Sequence, residues 1–185
     1  MKYLFVLVLF AALILTSCTY SSMQQEIVII QTSQGDIELE LYSQEAPTTV
    51  DNFRSYVESG FYDETVFHRV IEGFMIQGGG FSVQGVQKPT NDPIALEASL
   101  PNTRGSVAMA RTNDPDSATA QFFINVADNT ALNPGVQGPG YAVFAHVVEG
   151  MEVVDAIVQS ATTTRYGMAD WPQEDVVIER VYLKG

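Results

Sequence analysis

About eight short runs of apolar or alternating residues, separated by turn-forming segments, constrain this chain to a mainly β fold. The run 37–41 alternates Ile, Leu and Leu with two Glu residues, which is the period of a half-buried strand. The run 27–31 before it is apolar up to its last residue, and a turn at residues 34–36 separates the two. The remaining strands are predicted at 66–70, 74–77, 105–111, 121–126, 141–148 and 176–183.

Two helical patterns lie far apart in the chain. Pro47 begins the first helix and Gly60 ends it. Its apolar residues recur at helical spacing and share one face, and they are Val50, Phe53 and Val57. The second helix is predicted at 151–158, with an inward face formed by Val153, Val154, Ile157 and Val158.

These elements together predict a closed eight-stranded antiparallel β-barrel capped by two α-helices. Closure is favoured because it leaves none of the strands with an exposed edge. Residues 81–102, which contain three prolines, are predicted to form a long irregular loop.

The N-terminus has the pattern of an export signal. The apolar stretch at residues 3–15 is shorter than the roughly 20 residues that a membrane-spanning helix needs, and its length suits a signal peptide. The sequence Leu15-Thr16-Ser17-Cys18 resembles a bacterial lipoprotein processing site, so Cys18 is expected to be lipidated and to begin the mature chain. An ordinary signal peptide with a chance cysteine is the alternative.

The predicted organisation is therefore a signal peptide at 1–17, a lipidated N-terminus and tether at 18–25, and one domain at 26–185. The protein is expected in the cell envelope, anchored to a membrane through the lipid on Cys18, at the periplasmic face if the host is Gram-negative. Cys18 is the only cysteine, so no intramolecular disulfide can form.

The charge composition excludes several kinds of partner. The chain has 22 Asp and Glu residues against 9 Lys and Arg residues, and no basic stripe. Nucleic acid and anionic lipid surfaces both attract basic proteins, so neither is expected to bind directly.

The run at residues 67–80 places an arginine, Arg69, among apolar residues and ends in three glycines. A guanidinium cannot lose its charge on burial, so Arg69 needs either a partner or a function. Together with the segment at 121–123, the run indicates an apolar pocket that holds a hydrogen-bond donor and no nucleophile.

Other chemistries lack their residues. The two histidines, His68 and His146, lie apart in separate strands, and no cluster of His, Cys and carboxylate residues has metal-ligand spacing. No Gly-x-Ser-x-Gly elbow is present, and the glycines at 78–80 are not followed by the Lys-Ser/Thr of a phosphate loop. No metal or cofactor is expected, and His68 is interpreted as a structural histidine.

The segments 67–71 and 74–79 resemble the signature of the cyclophilin-type peptidyl-prolyl isomerases. The segments 105–111 and 121–125 are similar to the family's second block in its bacterial form, and 51–53, 61–63 and 141–144 follow in the same order. The resemblance spans about residues 27–183 and implies an eight-stranded barrel with two capping helices, the fold that the strand pattern also predicts. It further implies rotation of the peptide bond before proline in proline-containing polypeptides. The protein is expected to be a monomer.

The resemblance also implies roles for individual residues. Arg69 would be catalytic, hydrogen bonding to the imide nitrogen. Gln77 and Gln121 would hold Arg69 and the substrate backbone, while Ala110 and Arg111 would bind the residue before proline. Tyr141 takes the place of a histidine that many eukaryotic members carry. The proline pocket would be formed by Phe74, Met75, Phe123 and Leu132.

Two positions depart from the family pattern. Ala131 stands where an aromatic residue often borders the pocket and contacts cyclosporin, so a weaker cyclosporin response is expected. Gly80 replaces the usual Asp after two glycines, a change expected to alter the local turn but not the pocket.

Three functions remain open from the sequence. The leading one is an exported prolyl isomerase that assists the folding of envelope or secreted proteins. The others are a module or chaperone that binds proline segments without turnover, and a surface lipoprotein with a structural or adhesive role.

Overall fold

The computed structural model describes residues 25–185, so the predicted signal peptide and Cys18 lie outside the described residues. The chain forms two helices, α1 and α2, and eleven strands, β1–β11, within this range. A short 3₁₀ helix spans Thr130–Leu132. The helices are α1 (Pro47–Glu58) and α2 (Met151–Val158), and the strands are β1 (Ile27–Thr32), β2 (Gly35–Leu41), β3 (Thr65–Val66), β4 (Arg69–Ile71), β5 (Met75–Gly78), β6 (Ser106–Met109), β7 (Phe122–Asn125), β8 (Val143–Glu149), β9 (Thr162–Arg165), β10 (Met168–Pro172) and β11 (Val177–Leu183).

Nine of the strands form one antiparallel sheet in the order β3-β11-β1-β2-β8-β6-β7-β5-β4. Register shifts in β1, β2 and β6 interrupt the ladders. Such irregularities bend a strand and increase its twist, which curls the sheet around the core. The predicted mainly β fold with two helices is therefore confirmed.

The large sheet has nine strands where eight were predicted, because the predicted strand 66–70 is divided into β3 and β4, which are separated by Phe67 and His68. The two halves lie at opposite ends of the sheet order. The backbone N–H of Phe67 donates to Val176, next to β11, and that of His68 donates to Gln77 in β5. One chain segment thus joins the two ends of the sheet, although β3 and β4 do not pair with each other, and a fully closed barrel stays a prediction.

Both helices have the predicted bounds and bury their apolar faces. In α1, Phe53 is fully buried, and its ring centre lies 4.9 Å from that of Phe144 and 5.8 Å from that of Phe122. The N-terminus of α1 is capped from the loop 81–102, because the Glu97 carboxylate accepts hydrogen bonds from the backbone N–H groups of Thr48 and Thr49 at 3.1 and 2.8 Å. The distant loop thus supplies the acceptors that the first helical turn lacks.

Helix α2 begins after Gly150, which has a left-handed backbone with φ +88°. A Cβ at this position would lie 2.3 Å from the carbonyl oxygen of Asp36, so only glycine fits. Val154 and Ile157 are fully buried in the core, and Val153 is half-buried and packs against the same core, as predicted.

The sequence predicted no element between residues 159 and 175, but this segment forms the hairpin β9–β10, a separate two-stranded sheet. Its turn residues Tyr166 and Gly167 both have positive φ, at 53° and 78°, which is the requirement of a two-residue type I′ turn. Strand β10 packs against β4, which carries Arg69. The hairpin therefore brings a segment distant in sequence to the predicted catalytic residue.

Candidate active site

A second apolar cluster, separate from the main core, lies on the other face of the central strands. Side chains alternate between the faces of a strand, so Ile76 of β5 enters the main core while its neighbour Met75 enters the second cluster. Phe123 and Val143 are buried beside Met75. Loop residues cover this cluster only in part, and the uncovered part forms a cavity.

The cavity has a volume of about 290 Å³. Nine of the ten residues predicted for catalysis and substrate binding line it, and the tenth, Gln121, lies in an adjoining polar cavity of about 190 Å³. The structure thus brings together residues from five separate segments of the chain. The residues that line the 290 Å³ cavity are Arg69, Phe74, Met75, Gln77, Ala110, Arg111, Phe123, Leu132 and Tyr141.

Arg69 is held at the polar side of the cavity by a chain of amides. Arg69 pairs directly with Gln77 in the β4–β5 ladder, and its Nη1 donates to Gln77 Oε1 at 3.4 Å. Gln77 Nε2 in turn donates to Gln121 Oε1 at 2.9 Å. The Arg69 side chain remains 42% exposed, so its other N–H groups can reach a bound peptide.

Gly80 leaves room for this chain of amides. A Cβ at Gly80 would lie 2.5 Å from Cγ of Gln121, so the Gln121 side chain lies over a bare backbone. The glycine at this position therefore bears on Gln121, a neighbour of the cavity.

Arg111 lines the cavity at its rim, where backbone carbonyl oxygens and an aromatic ring surround its guanidinium. Its Nε and Nη2 donate to the carbonyl oxygen of Gly140 at 3.1 and 2.8 Å, and its Nη1 donates to that of Thr112 at 2.8 Å. The guanidinium also lies 4.4 Å from the ring centre of Tyr141, within the range of a cation–π contact. Arg111 thus fastens the end of the loop 133–140 and Tyr141 at the cavity rim.

Tyr141 completes a wall of the cavity. Its ring meets that of Phe123 edge to face, with centres 5.5 Å apart, an arrangement that aromatic pairs favour. Its backbone N–H donates to the carbonyl oxygen of Leu132 at 3.2 Å, which joins the wall to the 3₁₀ helix. Ala131, in that helix, is exposed and does not line the cavity.

A network of asparagine side chains behind the cavity was not predicted. Asn129 Nδ2 donates to the carbonyl oxygen of Phe74 at 2.7 Å and to Asn125 Oδ1 at 2.6 Å. Asn102 Nδ2 donates to the carbonyl oxygen of Leu132 at 3.1 Å. The network thereby fixes the backbone of two pocket residues. The sequence offers one signal of this network, because Asn102 ends the predicted loop 81–102 and Asn125 lies near the end of the predicted strand 121–126. Both side chains are buried in the structure.

His68 is buried beside Arg69 but is not arranged for proton transfer. It is 4% exposed, and its Nδ1 has no hydrogen-bond partner within residues 25–185. Its pKa is lowered from 6.5 to about 4, mainly because burial disfavours the charged form. A hydrogen bond with the backbone of Val66 raises the pKa in part, and the charge of Arg69 lowers it further. The imidazole is therefore neutral near pH 7, which agrees with a structural role.

No group of three or more His, Cys, Asp or Glu side chains is placed to hold a metal ion in the described part of the chain. Between residues 25 and 185, no helix has both the length and the apolar character needed to cross a membrane.

The cavity itself combines an apolar floor with one permanently charged donor, so it can seat an apolar ring and place a hydrogen bond beside it.

Comparison with known proteins gives a consistent result. The family described as cyclophilin type peptidyl-prolyl cis-trans isomerase/CLD matches residues 27–183. Peptidyl-prolyl cis-trans isomerase B of Escherichia coli strain K12 is 55% identical over 161 residues, covering 84% of this chain and 98% of that protein. A peptidyl-prolyl cis-trans isomerase of Acinetobacter baylyi is 53% identical over 161 residues, covering 85% of each.

Solved structures show the same architecture. The crystal structure of a cyclophilin type peptidyl-prolyl cis-trans isomerase of Cryptosporidium parvum matches with a TM-score of 0.73 at 26% identity, covering 88% of this chain and 99% of that one. A second structure of that protein, determined in the presence of the dipeptide Ala-Pro, matches with a TM-score of 0.72.

Proposed function

The chain belongs to the cyclophilin-type peptidyl-prolyl cis-trans isomerases, and from this premise we propose that Arg69 catalyses the rotation by hydrogen bonding to the imide nitrogen of a proline seated in the 290 Å³ cavity. The substrates of this family are proline-containing peptides.

The barrier to be lowered arises from amide resonance. Rotation about a peptide bond costs about 18–20 kcal/mol because it breaks the partial double bond. In the twisted transition state the proline nitrogen regains a lone pair, which the planar ground state delocalises. A donor aimed at this nitrogen therefore binds the transition state more strongly than the ground state, and only such a difference accelerates the reaction.

Arg69 has the properties that this role requires. Its guanidinium stays charged at every physiological pH, and the bond to Gln77 occupies only one of its five N–H groups. The rest of the cavity is formed largely by Phe74, Met75 and Phe123. These side chains can fix the pyrrolidine ring while the other side of the bond turns, and they surround a transition state that is less polar than the planar amide.

The observation that carries this proposal is the position of Arg69, held by Gln77 at the edge of an apolar cavity. An Arg69→Ala variant should lose about 10²–10³-fold in kcat/KM, the usual cost of removing one transition-state donor. Arg69→Lys keeps the charge without the planar fork and should be intermediate. The assay should follow isomerisation of an Ala-Pro peptide directly by NMR exchange, without a coupled protease.

Arg180→Ala is the matched control, because Arg180 is an exposed arginine that does not line the cavity. A wild-type rate in Arg69→Ala, with the fold intact by circular dichroism, would defeat the mechanism. Binding of the peptide without turnover in the wild type would instead support a module that only holds proline segments.

We further propose that the protein is exported and held on a membrane by a lipid on Cys18, where it assists the folding of exported proteins. The support is the sequence alone: the apolar stretch 3–15 followed by the processing-site pattern at 15–18. Growth with labelled palmitate should label the wild type and not Cys18→Ser. Equal labelling of both forms, or recovery of the wild type with the cytosolic fraction, would contradict the proposal.

A further inference from the structure

The hairpin β9–β10, which the sequence did not predict, places a carboxylate beside Arg69. Oδ2 of Asp170 in β10 lies 3.9 Å from Nε of Arg69. We propose that Asp170 is a positioning residue that holds the Arg69 guanidinium in its catalytic orientation. The inference rests on the proposed role of Arg69 and adds a residue outside the cavity lining to the catalytic machinery.

The place of Asp170 is determined by a buried anchor next to it. Trp171 is fully buried, and its Nε1 donates to Oδ1 of Asp175 at 2.8 Å. The same Oδ1 lies 2.8 Å from Nη1 of Arg165 in β9. The hairpin is thus fastened at both strands immediately beside Asp170, so the carboxylate belongs to a fixed part of the fold.

The backbone at Asp170 is specialised. Between the pairs Met168–Arg165 and Trp171–Thr163, β10 contains one residue more than β9, which is the pattern of a β-bulge. Asp170 has φ +61°, one of three non-glycine residues with positive φ in the described part of the chain. Bulges redirect side chains next to active sites, and strained backbone persists where surrounding structure enforces it. Here the bulge lies beside the strand that carries Arg69.

Arg69 is therefore contacted from two directions. Gln77 accepts from Nη1 at 3.4 Å, which is longer than the usual 2.7–3.2 Å of an N–H···O bond. Asp170 approaches Nε at 3.9 Å, a distance at which charge attraction acts without a direct hydrogen bond. Within residues 25–185, removal of Asp170 would leave the long bond to Gln77 as the one hydrogen bond that restrains the Arg69 side chain, which has high rotamer entropy.

The expected effect is modest, because both side chains are 42% exposed. Exposed ion pairs have small coupling energies, so loss of the carboxylate should lower kcat/KM by about two- to fivefold. The decrease should fall on kcat, since the apolar floor that seats the ring is unchanged.

Two substitutions distinguish a positioning role of the Asp170 carboxylate from a structural role of this residue in the bulge. Asp170→Asn keeps the size of the side chain and tolerates a left-handed backbone, so it removes only the charge. Asp170→Gly removes the side chain and relieves the backbone strain at φ +61°. Both should lose activity, although the glycine variant should melt at the same temperature as the wild type or higher. Asp155→Asn is the matched control, because Asp155 pairs with Arg104 at 2.8 Å, has similar exposure and does not line the cavity.

The decisive measurement is a double-mutant cycle with Arg69→Ala, at enzyme concentrations that raise the residual rate above the uncatalysed one. If Asp170 acts through Arg69, then Asp170→Asn has no effect in the Arg69→Ala background. Raised salt should also narrow the gap between wild type and Asp170→Asn.

The inference is overturned if both Asp170 variants match Asp155→Asn in rate, if their rates rise, or if the decrease persists in full without Arg69. These results differ from failure of the proposed mechanism, which would appear as an unchanged rate in Arg69→Ala alone.

Discussion

Acidification should destabilise this protein through His68, which is buried and whose Nδ1 has no hydrogen-bond partner in the described part of the chain. Its pKa in the folded state is lowered to about 4, from 6.5 for an unperturbed histidine. Between these two values the unfolded chain binds a proton at His68 that the folded chain does not bind. The contribution of His68 to the free energy of unfolding is therefore fully present above pH 6.5 and is lost as the pH falls toward 4.

The size of the loss follows from the difference between the two pKa values. Each unit of difference corresponds to 1.36 kcal/mol, so the shift to about 4 corresponds to roughly 3 kcal/mol in the free energy of unfolding. About 2 kcal/mol of this should be lost by pH 5. Total stabilities of single domains are only about 5–15 kcal/mol, so the effect is large enough to measure.

The assay is urea unfolding of the wild type and of His68→Gln between pH 7.5 and pH 4.5. Glutamine does not titrate in this range, so subtracting the two curves removes the contribution of the carboxylates common to both proteins. His146→Gln is the control for a histidine elsewhere in the chain. The wild type should lose about 2 kcal/mol more than His68→Gln by pH 5. Parallel curves, or an NMR titration of His68 with a midpoint near 6.5, would refute the reasoning.

Three further predictions concern the cavity and its surroundings. Arg111→Ala should release Gly140 and Tyr141, which its guanidinium contacts. Steady-state kinetics should then show a higher KM with a smaller change in kcat, and an unchanged KM would mean that Arg111 is not needed to hold this wall of the cavity. Phe123→Ala should lower the free energy of unfolding by about 3–5 kcal/mol, because this side chain is only 4% exposed; a urea titration showing less than 1 kcal/mol would contradict its buried place. Ala131→Trp should strengthen cyclosporin inhibition, and an unchanged inhibition constant would argue against a role for the open position at Ala131.

Much of the fold could be predicted because hydrophobic periodicity reports which side chains face the core. The helices 47–58 and 151–158 follow directly from their apolar spacing and from the glycines beside them. The hairpin β9–β10 was missed because Thr162–Arg165 is entirely polar and shows no alternation. The pair Tyr166-Gly167 was its only local signal.

Hydrophobic periodicity also could not predict that one strand is divided into β3 and β4. Phe67 and His68 continue the apolar pattern of their neighbours and are both buried, yet their backbone N–H groups bond to opposite ends of the sheet. The choice between two partners is made by tertiary structure, which a local pattern does not contain.

The candidate site was predicted mainly through the family resemblance, which named residues but not their contacts. The structure places nine of them around one cavity, while their roles stay predictions. The clamp from Arg111 to Gly140 and the approach of Asp170 to Arg69 both join segments far apart in sequence. Neither contact leaves a local pattern, because each depends on how the loops are folded over the sheet.

The segment that joins the two ends of the sheet has a consequence for biosynthesis. Strand β11 lies between β1 and β3, with Val28 opposite Leu183 and Val177 opposite Val66. Arg69 follows β3 by three residues, so its final place depends on a strand that the ribosome makes more than a hundred residues later. A nascent chain should therefore acquire isomerase activity only after residues 177–183 have emerged and paired with its first strand. Until then the isomerase lacks the complete fold on which its own active site depends.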